Sequence, residues 1–435
     1  MNKRFFNIFN LTEEEAITLL DTPQDRIGED DSRYIAASHL VNFPTDKSIN
    51  ALMRAVQNTD SSLDNRIVRR KSVETLGRLQ AKQALSVIRT CLAEEDCYTV
   101  ENAVWAIGEI ETDNPDILEE IAQLLEKPGQ IYRVILHTLA KLGYKPSIHR
   151  INKFTESEDA PTASAAIATI CRLTGDYTQM DKVVAFLQHS SCNARRACIQ
   201  DLIDTRYYPA IPQIARCPVS VAFRLRAIRI LADVGVENKE ITFNEIKPYL
   251  EQTLRDHPND LDLVHEYDQS PTLDFLIQEL YQTDFGRCYL ASKTLLLEHY
   301  AVQAPTALLQ TYDEEAYTDY GAHYHVMKLL GWLRYAPAYD LLIEALHNKE
   351  PQFQKSRSAA AIALGELGDR RAIPDLKKSL ETQIWDLKYA ALMALEKLGD
   401  TSSRETVALD LDWLIRVKAT FASASNVNWN YICKS

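Results

Sequence analysis

SRSAAAIALGELGD, residues 356–369, and LKYAALMALEKLGD, residues 387–400, are two versions of one phrase. Small residues alternate with Leu or Ile, and a Gly-Asp pair closes each copy. In the second copy Ala391, Ala394, Leu395 and Leu398 fall at i, i+3, i+4 and i+7, which is one face of a helix. Gly368 and Gly399 supply the left-handed residue that ends such a helix. Between the copies lies a second helical pattern, AIPDLKKSL, residues 372–380. The unit is therefore helix, loop, helix.

Outward from this segment the theme recurs in VRRKSVETLGRL (68–79) and VENAVWAIGEI (100–110). Equivalent positions near the end of the second helix are Gly77, Gly108, Ala140, Cys171, Ile203 and Ala232. They recur every 29 to 32 residues, and Gly331, Gly365 and Glu396 continue the series. A helical pair repeating at about this period predicts an all-α, curved solenoid of HEAT-like pairs, each burying its stripe against the next. The expected organisation is a cap over 1–30, repeats over 31–235, an irregular bend or insertion over 236–275, repeats over 276–400 and a cap over 401–435. Phosphate-binding glycine motifs are absent from the sequence.

Length agrees with an array, because 435 residues exceed what one core holds. With 61 acidic against 48 basic residues the net charge is −13, which argues against nonspecific nucleic-acid binding. No apolar run reaches the roughly 18 residues of a membrane span. The first residues, MNKRFFNIFNLTEEE, read as neither signal nor transit peptide, so a cytoplasmic protein is expected. The eight cysteines form no CxxC and no zinc-ligand spacing, so they read as small buried residues in a reducing compartment.

Four clusters stand out, each at the start or in the first half of a second helix. YTDYGAHYHVMKLLGW (317–332) gathers Tyr317, Asp319, Tyr320, His323 and Trp332. His323 and His325 are two apart and diverge on a helix, so no metal site is expected. Asp319 reads either as an N-cap or as the acid of a pocket for a flat ligand. Arg66 and Arg70, one turn apart, form either a solvated face or a carboxylate clamp. Glu101 with Trp105, and Trp385 and Asp386 with Tyr389, complete the set. They read either as packing between repeats or as a lining. Their shared placement predicts one inner groove.

The runs RRKSVETLGRL, EEDCYTVENAVWAIGEI and TQIWDLKYAALMALEKLGD resemble the HEAT-like family of cyanobacterial phycobilin lyases. The similarity is strongest to single-chain phycoerythrin-type lyases. The resemblance implies that the chain binds phycoerythrobilin as substrate, with no cofactor. It would pass the bilin to a cysteine of phycoerythrin, on the alpha subunit, through a thioether. Some relatives also isomerise the product to phycourobilin. On this reading Asp319 is the proton donor, Tyr317 and Tyr320 orient the ring, and His323 carries protons. Arg66, Arg70, Glu101, Trp105, Trp332, Trp385, Asp386 and Tyr389 bind the bilin. The attacking thiol belongs to the acceptor, and Cys91 and Cys97 are expected to be structural. The alternative is a non-catalytic scaffold that holds a protein partner in its groove.

Overall fold

The computed structural model describes residues 11–28 and 32–421. Parts of both expected caps, and Cys433, lie outside the described residues. The helical expectation holds: among the described residues every regular element is a helix. Contacts divide the chain into two compact units, Met1–Met180 and Asp181–Ser435.

In the first unit we name α1 (Asp46–Gln57), α2 (Leu63–Arg78), α3 (Leu85–Thr90), α4 (Cys97–Ile110), α5 (Tyr132–Lys141) and α6 (Ala160–Thr174). The second helices of successive pairs, α2, α4, α5 and α6, stack in order, while α3 packs between α1 and α4. Small residues permit the stacking. A Cβ added to Gly77 would lie 2.7 Å from Cα of Ala106 on the next helix, so α2 and α4 touch almost backbone to backbone.

The second unit contains α7 (Val221–Glu237), α8 (Phe243–Arg255), α9 (Phe285–Leu295), α10 (Tyr320–Trp332), α11 (Tyr339–His347), α12 (Gln354–Leu367), α13 (Ile373–Lys378), α14 (Trp385–Lys397) and α15 (Trp413–Phe421). Helices α10, α12 and α14 stack as the first unit's do. Gly331 meets Ala363, and Gly365 meets Ala394, where an added Cβ would sit within 3 Å of the neighbouring Cα. Ala359 to Gly365 are all buried, as a helix flanked on both sides must be. Gly368 caps α12 at φ 75°, and Gly399 adopts φ 79°.

Segment 236–275 lies inside the second unit. Its helix α8 starts with a capping box, in which Thr242 and Glu245 satisfy each other's backbone N–H groups. It packs against α12 and α14. The polypeptide then turns at Asp256, whose φ of 51° ends α8 in the left-handed conformation.

Candidate functional site

The starts of α7, α10, α12 and α14 surround a cavity of about 390 Å³ within the second unit. Ser220, Val221, Ala222 and Leu225 line it from α7, and Tyr320, Tyr324 and Lys328 from α10. Lys355, Ser358 and Ala359 come from α12 and Asp386 from α14, while Leu254, Pro351, Gln352 and Gln354 complete the wall. The repeat explains this convergence. Ala222, Lys355 and Asp386 each stand ten residues before the repeat positions Ala232, Gly365 and Glu396. Leu225, Tyr324 and Ser358 each stand seven before theirs. Stacked helices in one register bring equivalent positions to one face.

Under the cavity lies a buried polar network. Asp256, fully buried, accepts from the Arg224 guanidinium and from the hydroxyls of Tyr289 (2.9 Å) and Tyr324. Arg224 also donates to the Tyr289 oxygen (2.8 Å) and to the carbonyls of Val219 and Ala215. Burial opposes the Asp256 charge, but Arg224, Lys328 and the Tyr324 hydroxyl outweigh it and hold the carboxyl below the usual range. Lys328 donates to the carbonyls of Leu254 (2.9 Å) and Arg255. Burial lowers its ammonium to about 8. The network fixes Tyr324, and through it the cavity wall, to α7 and to the end of α8.

Two further ionisable groups face the cavity. Asp386 accepts a hydrogen bond from the Ser358 hydroxyl (2.9 Å). Burial pushes its carboxyl upward, against the pull of that hydrogen bond. The Lys355 ammonium lies over three rings, Phe285 at 4.3 Å, Tyr320 at 4.8 Å and Tyr324 at 5.2 Å. Burial again lowers it to about 8. An acid pushed up and a base pushed down in one concave site is a pattern associated with proton transfer.

The expected residues divide. Tyr320 and Asp386 line the cavity. Asp319 is the N-cap of α10, its Oδ1 accepting from the amides of Gly321 (2.8 Å) and Ala322 (2.7 Å). Tyr317 is exposed, outside the cavity. His323, expected to carry protons, is buried between the rings of Tyr312 and Phe353. Burial lowers it to about 4, which leaves it neutral. His325 turns instead to Phe285, Tyr289 and Tyr324. Trp332 ends α10 against His257, with ring centroids 4.9 Å apart. Trp385 stacks under the Arg229 guanidinium at 5.3 Å. Tyr389 is fully buried, its hydroxyl directed at Glu251 (3.3 Å), so it packs the core and does not line the cavity.

In the first unit Arg66 is exposed, and its side chain makes no hydrogen bond or ion pair among the described residues. Arg70 turns both prongs of its guanidinium onto Asp96, at 2.8 and 2.7 Å, and lies over Tyr98. The expected two-arginine clamp is therefore half occupied from within the protein. Glu101 is half-buried, with burial raising its carboxyl. Trp105 packs its ring against Gly77 and the core. Cys91 is buried and its thiol is pushed up by that burial, while Cys97 is half-buried.

Sequence reasoning missed Lys355, Tyr324 and Lys328. The signal was available in the register, since Lys355 is the repeat equivalent of Asp386.

Comparison with known proteins gives a consistent result. A model of HEAT repeats matches residues 339–414. The "uncharacterized phycocyanin operon protein Y" of Pseudanabaena tenuis is 63% identical over 96% of this chain and 99% of that protein. The "bilin biosynthesis protein CpeY" of a Synechococcus species is 31% identical, over 90% of this chain and 97% of its own length. The "phycocyanobilin lyase subunit alpha" of Synechococcus elongatus is 29% identical over 53% of this chain and 88% of that subunit. With its array of helical pairs and relatives of this kind along nearly its whole length, the chain belongs to the HEAT-repeat family of phycobilin lyases.

Proposed function

We propose that the protein is a bilin lyase that attaches phycoerythrobilin to a cysteine of phycoerythrin, on its alpha subunit. The observation that carries this reading is the cavity of the second unit, walled by Tyr320 and Tyr324 and furnished with Asp386 and Lys355. Family membership supports bilin chemistry, and the resemblance to phycoerythrin-type lyases supports this bilin and this acceptor.

A bilin is flat and conjugated, carries pyrrole N–H groups and ends in two carboxylate tails. Aromatic walls and a few placed polar groups suit such a molecule. A volume of about 390 Å³ is near the lower end of small-molecule sites, which run from about 300 to 1,000 Å³. The cavity therefore encloses part of the tetrapyrrole and leaves the rest at the mouth, where an acceptor protein can reach it.

The chemistry is the net addition of a thiol across the exocyclic double bond of the bilin. Sulfur bonds to the ethylidene carbon and a proton is delivered to the conjugated system, with no oxidant or reductant consumed. In our reading the acid is Asp386 rather than Asp319. Burial favours the protonated form of this carboxyl, the form that can give a proton, and the acceptor thiol's proton restores it. Asp319 acts as a helix cap, and Tyr320 holds the ring plane.

The test is to co-produce the chain with phycoerythrobilin and candidate acceptor subunits, and to read covalent chromophore by absorbance after denaturation. Phycoerythrobilin on the phycoerythrin alpha subunit is expected. Transfer only to phycocyanin would overturn the acceptor assignment. A phycourobilin product would add isomerisation to the activity. No transfer to any subunit would favour a scaffold.

A further inference from the structure

Lys355, partly buried, differs from the buried lysines of its unit. Lys328 donates to two carbonyls. Lys388 pairs with Asp410, and Lys418 with Glu251 and Glu396. The Lys355 side chain makes no hydrogen bond and no ion pair among the described residues. Its ammonium rests on the faces of Phe285, Tyr320 and Tyr324. Ring faces attract a cation but accept none of its N–H groups in the strong sense. The three donors therefore turn toward the cavity, which Lys355 lines.

The acids nearby are engaged elsewhere. Asp256 is held by Arg224 and two tyrosines, and Asp319 caps α10. Asp386 accepts from Ser358. A partly buried ammonium that no protein acceptor holds is open to an anion brought into the cavity. The aromatic floor specifies its carrier, because a flat conjugated body can lie on Tyr320 and Tyr324 while its anionic tail reaches Nζ. A single ammonium, with no arginine lining the cavity and with Asp386 also lining it, suits a monoanionic carboxylate better than a phosphate.

Resting on the bilin reading above, we infer that Lys355 is the subsite for one carboxylate tail of the tetrapyrrole, held as a charge-assisted hydrogen bond over the aromatic floor. The contact sets the rotation of the bilin in the cavity, and hence which end faces the acceptor thiol.

The experiment titrates phycoerythrobilin and its dimethyl ester against the wild-type chain, Lys355→Met and Lys355→Arg, following the visible band. Folding of each variant is checked by circular dichroism. Wild type is expected to bind the free acid roughly 10- to 100-fold more tightly than the ester, the affinity scale of a charge-assisted hydrogen bond. Lys355→Met should bind acid and ester alike, at the wild-type ester level, and Lys355→Arg should keep the preference. A Lys355→Met variant that discriminates acid from ester as wild type does would overturn the inference alone. A wild-type chain that binds neither compound would overturn the proposed function, and the subsite with it.

Discussion

Asp256→Asn isolates the charge at the base of the cavity. Asn tolerates the left-handed backbone that Asp256 adopts at φ 51°, so backbone strain does not enter. One oxygen remains to accept from Arg224. The new amide cannot accept from Tyr289 and Tyr324, which both donate to the second carboxylate oxygen. Arg224 stays charged and buried, since a guanidinium does not give up its proton. Removing one partner of a buried pair costs about 3–5 kcal/mol. A helical-repeat chain need not unfold in one step, so local opening is the proper measure. Hydrogen exchange of peptides over Val221–Glu237 and Tyr320–Trp332 should rise about 10²-fold to several thousandfold, at about tenfold per 1.4 kcal/mol. Exchange elsewhere, for instance over Cys97–Ile110, should stay near wild type. Acid should reproduce the effect. The Asp256 pKa is lower folded than unfolded, so its contribution is present above the unfolded value, about 3.9, and disappears as pH falls through the folded one. A rise below tenfold at neutral pH would refute the claim that this carboxylate holds the wall.

Tyr324→Phe keeps the ring under Lys355 and removes one hydrogen bond to Asp256; it should cost about 1.5–3 kcal/mol and combine less than additively with Asp256→Asn in the same exchange assay. Gly331→Ala forces a methyl against Ala363 and should destabilise by about 1–3 kcal/mol, read as loosened exchange over α10 and α12. Asp386→Asn should lower bilin transfer by about 10²-fold with the fold intact, whereas Asp319→Asn should be nearly silent, because Asn caps a helix about as well as Asp. In wild type, transfer that depends on protonated Asp386 should fall as pH rises through its raised folded pKa, and Asp386→Asn should abolish that limb of the profile.

The array was readable because its determinants are local. The Ala-Leu stripes, the glycines at close contacts and the closing Gly368 and Gly399 each act within one turn or one repeat. The cavity was half readable. Tyr320 and Asp386 stand out as an aromatic and an acid at helix starts, but Asp319 shows the ambiguity of such positions, since capping and catalysis prefer the same side chain. Lys355, in QKSRS, looks like a solvated first turn, and only the placement of Phe285, Tyr320 and Tyr324, from other helices, covers it. Asp256, in LRDHPND, looks like loop. Its partners Arg224 and Tyr324 are 32 and 68 residues away, and nothing in local periodicity encodes that meeting. The pairing of Arg70 with Asp96 was unreadable for a similar reason, because Asp96 comes from the next pair.

Entry of the bilin into this cavity can be read optically. Ala222 lines the cavity from an exposed position on α7, so Ala222→Trp fills the entrance without disturbing the core. Phycoerythrobilin titrated into the wild-type chain should shift and sharpen the visible band to saturation, and the same titration of Ala222→Trp should leave the free-bilin spectrum almost unchanged. An identical saturable shift in both proteins would place the bilin elsewhere and contradict the account.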